Sequence, residues 1–394
     1  MLARPLTVPA FRRLWLAQLI SEVGDWSARL VLAYLVFERT GSPAVTSLVT
    51  TISLVPWLGP GQLLTALSER WPRRRVMVVA DVVRAVAFGV AGLPLPIPVL
   101  LGVVFCAGLA TPAFEAARAA VRPEILPREL YPPAVALTGI TQDLTVAIGA
   151  ALGGGLVALL GTHPALAVNA ASFAASAGFL AGLPAAAAAR RGPLRGALRI
   201  SYRALRRDPL IVRAVLLVTA AMLTATSMTA LTVPLSREVL GAGPAAVGGL
   251  IAIASVVSIM ATAAVPTDGD PAKLLRWAAG YALLGGGLTT GCYLAISLGS
   301  GARSALAAVG YLAAGLLFAV LAPANVVVSP RLPGDIRASA LSLLMGALVA
   351  TEALGAAVAG WGAAAAGILP MCILLGGPPI ALGGYCMLRP VRDM

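Results

Sequence analysis

One stretch decides the fold of this chain: Thr65-Ala66-Leu67-Ser68-Glu69-Arg70-Trp71-Pro72-Arg73-Arg74-Arg75-Val76. Long apolar runs flank it on both sides, whereas the stretch itself carries several arginines and one carboxylate. A connection with this charge cannot cross a bilayer, so it lies at a membrane surface. Its excess of arginine predicts the cytoplasmic surface, because inner loops of membrane proteins are enriched in positive charge.

The composition of the whole chain is that of a membrane protein. Of its 394 residues, 59% are hydrophobic and 11% are charged, whereas soluble domains carry about 25% charged residues. The net charge of +13 comes from arginines in short connections between apolar runs. This placement is typical of membrane topology rather than of nucleic-acid binding, so no nucleic-acid partner is expected.

Twelve apolar segments are long enough to cross a bilayer, since a span needs about 20 residues. If the N-terminus is cytoplasmic, only Arg39, Arg237 and Arg303 fall in outer loops, and most other basic residues fall on the inner side. The sequence therefore predicts an all-α, multi-pass protein of a bacterial inner membrane with both termini in the cytoplasm. The predicted spans are roughly 11–37, 44–67, 76–95, 98–121, 132–160, 164–187, 209–235, 244–265, 273–298, 304–329, 337–361 and 364–388.

The longest polar connection follows the sixth span and divides the chain. It predicts an N-terminal six-helix bundle over 1–189, a basic cytoplasmic linker over 190–208 and a C-terminal six-helix bundle over 209–394. Arg199, Tyr202, Arg203 and Arg206 recur at helical spacing, which favours an amphipathic helix on the anionic inner leaflet. A flexible linker explains the same composition equally well.

The stretch that decides the fold resembles the loop between the second and third helices of major facilitator superfamily transporters, whose pattern reads G-x-L-A-D-R-x-G-R-R/K. Glu69 takes the Asp position, Arg70, Arg73 and Arg74 match the basic positions, and two glycines of the pattern are replaced. The resemblance implies twelve transmembrane helices in two pseudo-symmetric bundles that alternate access. It also implies a conformational latch, in which Glu69 and its arginines meet the start of the eleventh helix near Arg337.

Two further groups of motifs extend the resemblance. Gly149, Gly153 and Gly154 resemble the antiporter motif G-P-x-x-G-G, and small residues at this spacing also let helices pack closely in lipid. The segments 11–15, 24–26, 112–118 and 332–337 resemble the enterobactin-exporter-like, drug efflux branch of the superfamily. This branch implies export of a drug, antibiotic or siderophore-like metabolite.

Ionisable residues within the first span are candidates for function, because charge in hydrocarbon is costly. Glu22, Asp25, Trp26 and Arg29 share one helical face. An Asp25–Arg29 ion pair that only fixes packing explains two of them. Glu22 has no such local partner, and a carboxylate removed from water binds a proton more readily, so Glu22 is the leading candidate for the proton carrier.

Other spans add more ionisable residues. Asp143 and Glu352 fall in the middle third of the membrane and, with the acidic residues of the first span, are expected to face a substrate cavity. Glu115 and Arg118 form a polar pair in the fourth span, where Arg118 binds either Glu115 or an anionic group. Asp81 and Arg84 repeat this spacing in the third span and are interpreted as structural.

The predicted function is proton-coupled export of a small, partly apolar compound. The alternatives are a lipid or lysophospholipid flippase on the same scaffold and a non-transporting membrane scaffold or sensor. No P-loop, HExxH, GxSxG or paired Cys/His motif occurs, so neither catalysis, a metal nor a cofactor is expected. The expected partners are membrane lipids, protons and the substrate, and the expected state is a monomer.

Overall fold

The structure is a computed structural model that describes residues 3–68, 70–184, 202–203, 205–266, 270–332 and 337–388, with the side chains of the last range described from residue 340. Every regular element within these ranges is helical. In the first half, a 3₁₀ turn (Arg4–Thr7) precedes α1 (Pro9–Thr40), α2 (Pro43–Leu58), α3 (Pro60–Ser68), α4 (Arg73–Ala91), α5 (Ile97–Ile125), α6 (Tyr131–Leu160) and α7 (Thr162–Ala181), with a second 3₁₀ turn (Arg128–Leu130) before α6.

The second half repeats this helical character. A single π-helical turn, Leu235–Val239, directly continues its first helix. The helices are α8 (Pro209–Pro234), α9 (Pro244–Ala263), α10 (Pro271–Ser297), α11 (Arg303–Ala319), α12 (Leu321–Arg331), α13 (Arg337–Ala366), α14 (Ile368–Leu375) and α15 (Gly377–Leu388).

Proline and aspartate fix where many helices begin. Pro lacks the N–H that has no acceptor in the first turn of a helix, and its φ is already helical. Asp208 caps α8 by accepting a hydrogen bond from the backbone N–H of Leu210 at 2.8 Å, and Asp270 caps α10 through Ala272 at 3.0 Å. The helices that begin at proline are α1, α2, α3, α8, α9 and α10.

The predicted spans coincide with helical segments throughout the chain. Within the described ranges, nine helical segments are long and apolar enough to cross a membrane when α11 with α12 and α14 with α15 each count as one segment. There are ten when α2 and α3, bent by 46° around Gly59, also count as one. The prediction of an all-helical, multi-pass chain agrees with this finding. Helices α1 and α4 are long enough as well, but they carry more charge than such a span ordinarily holds. The count of twelve spans therefore stays a prediction.

The chain divides into two compact units. Unit 1 comprises Met1–Gly41, Leu48–Arg191 and Ala242–Ala252, and unit 2 comprises Ser42–Ser47, Gly192–Gly241 and Ile253–Met394. The core of unit 1 joins α1, α4, α5 and α7 through bulky side chains such as Leu14, Met77 and Phe114. The core of unit 2 contains many fully buried alanines. In a membrane the hydrophobic effect does not drive helices together, and small side chains such as alanine stabilise their contact by allowing close packing.

The predicted antiporter-like glycines lie at close helix contacts in unit 1. A Cβ on Gly149 would lie 2.6 Å from the Cβ of Trp26 and 2.7 Å from the carbonyl oxygen of Val23, both on α1. A Cβ on Gly153 would lie 2.9 Å from the carbonyl oxygen of Ser27, and Gly154 packs against the first turns of α9. These contacts allow α6 to approach two neighbouring helices at backbone distance.

Substitution of Gly149 tests this packing. Gly149→Ala is expected to lower the free energy of unfolding by about 1–3 kcal/mol, because the new methyl group overlaps α1 backbone and side-chain atoms. Gly155→Ala on the same helix is the matched control, since a Cβ there meets no atom within 4 Å. Thermal unfolding of the purified variants in detergent measures both. A loss of stability in the control equal to that of Gly149→Ala would contradict the close contact.

Candidate functional site

Three helices of unit 1 bring six ionisable side chains into its interior. Helix α1 contributes Glu22 and Asp25, which are three residues apart and so share a face. Helices α4 and α5 each contribute a carboxylate followed three residues later by an arginine, a spacing that places the two groups side by side. These pairs are Asp81 with Arg84 and Glu115 with Arg118.

Arg84 is shared by two aspartates. Its Nη1 lies 3.1 Å from Oδ2 of Asp25, and its Nη2 donates to Oδ1 of Asp81. The guanidinium carbon also lies 4.4 Å from the ring centroid of Phe114 and 4.7 Å from that of Phe173. Since its side chain is only 2% exposed, the charge of Arg84 is held by carboxylates and aromatic faces rather than by water.

Asp81 connects this arginine to α7. Its Oδ2 accepts a hydrogen bond of 2.6 Å from Ser176, whose hydroxyl also lies 3.1 Å from the carbonyl oxygen of Ala17 on α1. The side chain of Asp81 is 0% exposed. The group of Asp25, Asp81 and Arg84, here called the upper triad, therefore ties α1, α4 and α7 together.

Arg118 is the centre of a second, similar group. Its Nη1 lies 2.6 Å from Oε1 of Glu22, and its Nη2 lies 2.5 Å from Oε2 of Glu115. Thr145 of α6 donates a hydrogen bond of 3.2 Å to the other oxygen of Glu22. The group of Glu22, Glu115 and Arg118, here called the lower triad, joins α1, α5 and α6.

The ion-pair partners of Asp25 and Glu22 in the structure differ from those considered in the sequence analysis. Asp25 pairs with Arg84 of another helix, whereas Arg29 lies over the ring of Trp26 at 4.8 Å. Glu22, which has no local partner in the sequence, is bound by Arg118. Arg118 was expected to bind either Glu115 or an anionic group, and in the structure it forms an ion pair with Glu115 as well as with Glu22. These additional partners lie on other helices, and spacing along one helix does not reveal them.

Asp143 differs from the four carboxylates of the triads. It is exposed, and it forms no hydrogen bond or ion pair within the described ranges. It lies two residues before Thr145, the residue that contacts Glu22. Glu352 is half-buried on α13 and belongs to unit 2. Asp143 is therefore an accessible carboxylate close along α6 to the lower triad.

The predicted latch falls partly outside the described residues: Glu69 lies outside them, and so does the side chain of Arg337. Arg70 is exposed in the turn. Arg73 pairs with Glu124 and donates to the carbonyl oxygen of Ala120 at 2.9 Å, near the C-terminal end of α5.

Arg74 binds the end of another helix. It donates to the carbonyl oxygen of Leu183, just after α7, at 2.8 Å. Together with the bond from Arg73 to Ala120, this contact places two basic side chains at carbonyl-rich helix ends within unit 1, where positive charge is favoured.

Comparisons with known proteins agree with a transport protein. A family model of MFS type described as "transmembrane secretion effector" matches residues 2–390. An uncharacterized MFS-type transporter of Bacillus subtilis, YfiS, is 26% identical over 286 residues, which cover 70% of this chain and 67% of that protein. Macrolide efflux protein A of Streptococcus pyogenes is 26% identical over 124 residues, but this match covers only 30% of this chain and 31% of that protein.

Solved structures with the same fold are transporters as well. A bacterial homologue of the human lysosomal transporter Spinster, in an inward-facing and occupied conformation, has a TM-score of 0.79 at 13% identity and covers 98% of this chain and 97% of that one. The nucleoside transporter NupG has a TM-score of 0.74 at 12% identity and covers 98% of this chain and 100% of that one. At these identities the likeness concerns the fold alone.

The partner of Asp25 can be tested by removing each arginine in turn. Arg84→Gln is expected to lower the free energy of unfolding by about 3–5 kcal/mol, because it leaves two carboxylates without their buried counter-charge. Arg29→Gln removes a contact with one aromatic ring and an electrostatic interaction with Asp25 that is weaker than that of Arg84, and it is expected to cost about 1 kcal/mol or less. Thermal or denaturant unfolding in detergent compares the two. Equal losses would show that Asp25 depends on Arg29 as much as on Arg84.

Proposed function

We propose that this chain exports a small, partly apolar compound in exchange for protons. The chain belongs to the transmembrane secretion effector family of the major facilitator superfamily. The resemblance carried by the stretch 65–76 and the major facilitator fold are confirmed by the family match and the structural neighbours. The chain is a multi-pass membrane transporter. The direction of transport, the coupling to protons and the kind of compound are the content of the proposal.

The observation that carries the proposal is the charge balance of the lower triad. Two carboxylates, Glu22 and Glu115, share the single cation of Arg118, so the group has one excess negative charge when all members are ionised. A net charge is costly at low dielectric, and one bound proton makes the group neutral. Arg122, one turn further along α5, interacts with both carboxylates electrostatically but forms no direct ion pair with them.

A shared arginine also lowers the cost of proton exchange. When a proton binds Glu22, Arg118 still holds Glu115, so no buried charge is left without a partner. Protonation would weaken the hydrogen bonds that the carboxylate of Glu22 accepts from Arg118 on α5 and from Thr145 on α6. Proton uptake therefore changes contacts between three helices, which gives the proton a means to favour one conformation over another.

The upper triad is proposed to have a structural role instead. Asp81 is fully enclosed, whereas the side chains of Glu22 and Glu115 are 15% and 30% exposed, and Asp25 at 24% lies between them. Water can therefore deliver protons to the lower triad more readily than to Asp81.

Asp143 is proposed to contact the substrate. A carboxylate in the middle of a span must face water or a partner, because hydrocarbon does not tolerate it. The exposure of Asp143, without an ion pair in the described part of the chain, suits a group that binds a cationic substituent. The partial match to a protein named for macrolide efflux supports a drug-like compound, and macrolides are therefore the first compounds to test.

Neutralising Glu22 tests the coupling. In inverted membrane vesicles with an acidic interior, wild type is expected to accumulate a labelled macrolide or another member of a compound panel. Glu22→Gln is expected to reduce this pH-gradient-driven uptake to the level of vesicles without the protein, because the lower triad then lacks its exchangeable proton. Glu129→Gln, at an exposed carboxylate outside the triads, is the control and is expected to behave as wild type.

Three results would point elsewhere. Gradient-driven uptake that survives both Glu22→Gln and Glu115→Gln would remove the lower triad from the coupling. Movement of lysophospholipid that persists in the presence of an uncoupler would favour a lipid flippase. A chain that moves nothing, and in which every one of these carboxylates can be neutralised without a phenotype, would be a scaffold or sensor.

Asp143→Asn tests the proposed substrate contact separately. For a pair of compounds that differ only in one amine, the variant is expected to raise KM for the cationic member about five- to tenfold and to leave KM for the neutral member unchanged, since only the former loses a charge-assisted hydrogen bond. Gln142→Leu, at the exposed neighbouring position, is the control. An equal rise in KM for both compounds would contradict a role in recognising the cation.

A further inference from the structure

A groove in unit 1 lies between α6 and α7, with α1 as its floor. It has a volume of about 240 Å³. Helices α6 and α7 both pack along α1 but contact each other little, which leaves the space between them open. Val168 and Leu152 line the groove and are 45% and 49% exposed, and exposed apolar side chains in a transmembrane protein face lipid. The groove is therefore open to the bilayer.

The groove contains hydrogen-bonding groups that lack partners. Asn169 lines it and is 2% exposed, and its Nδ2 has no hydrogen-bond partner in the described part of the chain. Ser27 also lines it, is 4% exposed, and has a hydroxyl without a partner there. A buried donor that is left unpaired destabilises the fold, so such a group usually has a ligand or a structural partner.

The floor of the groove is shaped to leave this amide in place. A Cβ on Gly24 would overlap the hydroxyl oxygen of Ser172 and lie 2.5 Å from Oδ1 of Asn169. Ser172 donates to the backbone oxygen of Asn169 at 2.7 Å and contacts its Oδ1 at 3.3 Å, which leaves Nδ2 as the free donor. The lining residues include no ionisable group.

The depth of Asn169 restricts what can accept its hydrogen bond. It lies seven residues inside the outer end of α7, or about 10 Å along the helix. The ester carbonyls of a phospholipid lie in the interfacial region at the edge of the hydrocarbon core, above this depth. An acceptor at Asn169 therefore belongs to a compound that is itself dissolved in the hydrocarbon.

We propose that this groove binds a neutral, membrane-dissolved compound with an apolar body and one oxygen that accepts a hydrogen bond from Asn169. This inference depends on the proposed function in one respect: the compound in the groove is taken to belong to the class of compounds that the protein exports. The groove is close to the upper triad along two helices: Ser176, which holds Asp81, lies one turn beyond Ser172 on α7, and Asp25 follows Gly24 on α1. A compound in the groove thus lies next to the helices that carry the buried charges.

Benzophenone is a suitable probe, because it is neutral and apolar, has one carbonyl oxygen and forms covalent bonds with nearby C–H groups on irradiation. Wild-type protein in phosphatidylcholine nanodiscs is irradiated with benzophenone, and the labelled peptides are quantified by mass spectrometry. No proton gradient is used, so the result does not depend on whether transport is proton-coupled. Label is expected on groove residues of α1 and α7, and its absence there would overturn the proposal.

Two variants separate a binding role from a packing role. Asn169→Leu is expected to reduce labelling of the groove roughly five- to tenfold, the effect of one hydrogen bond. It is also expected to raise the thermal unfolding midpoint, because it removes an unpaired buried donor.

Gln18→Leu is the matched control: Gln18 is 2% exposed, its Nε2 also lacks a partner in the described residues, and it does not line the groove. The control is expected to label as wild type, and equal labelling of the groove in Asn169→Leu and wild type would overturn the proposal.

A competition experiment keeps the test independent of the variants. Diphenylmethane has the shape of benzophenone without its oxygen, so in wild type it is expected to compete five- to tenfold less well than unlabelled benzophenone. Equal competition would overturn the hydrogen bond. Labelling that rises when ester-linked lipid is replaced by its ether-linked counterpart would instead assign the groove to a phospholipid ester, and this would also overturn the proposal.

Discussion

The structure of unit 1 depends on one constraint, namely that a charge buried inside a membrane protein must have a counter-charge. Arg84 and Arg118 are buried in the middle of a helical bundle, where an unpaired guanidinium would cost several kcal/mol. Each is held by two carboxylates, one from its own helix and one from α1. Helix α1 therefore cannot shift or rotate alone without separating opposite charges. This explains why two helices with many charges, α1 and α4, lie within a bundle that is otherwise apolar.

The two units are stabilised by different means. Unit 1 combines the triads with glycines that bring α6 against α1. In unit 2 the buried polar groups include hydroxyls, such as Tyr311, which donates to Thr232 at 2.6 Å, and the helices meet through alanines. Hydroxyl contacts do not titrate near neutral pH, whereas carboxylate–arginine groups can exchange protons. The proton coupling that we propose therefore rests on groups of unit 1.

The sequence predicted the helical segments because apolar runs of about 20 residues alternate with short, arginine-containing connections. It did not predict the breaks within three of these runs, which follow Leu58, Ala319 and Leu375. It also identified the buried charges, since ionisable residues within apolar runs are rare. It did not identify the pairing of Asp25 with Arg84, because Arg29 at i+4 on the same helix was the visible partner. The distance of each residue from the end of its helix was a usable signal. Glu22 lies nearer the N-terminal end of α1 than Asp25 does, and Arg118 lies seven residues from the C-terminal end of α5, whereas Arg84 lies eleven residues from the N-terminal end of α4.

The groove was invisible in the sequence for a related reason. Asn169 and Ser27 are ordinary small polar residues in helices, and only the packing of three helices shows that their donors lack partners. A stable fold has little reason to retain an unpaired amide, since an apolar side chain of similar size would avoid the desolvation cost. The lower triad has the same character, because a single carboxylate would suffice to neutralise Arg118. Unit 1 therefore contains buried hydrogen-bond donors, among them those of Asn169 and Ser27, and a second carboxylate on Arg118 that its own packing does not require; we propose that a substrate and a proton use such groups.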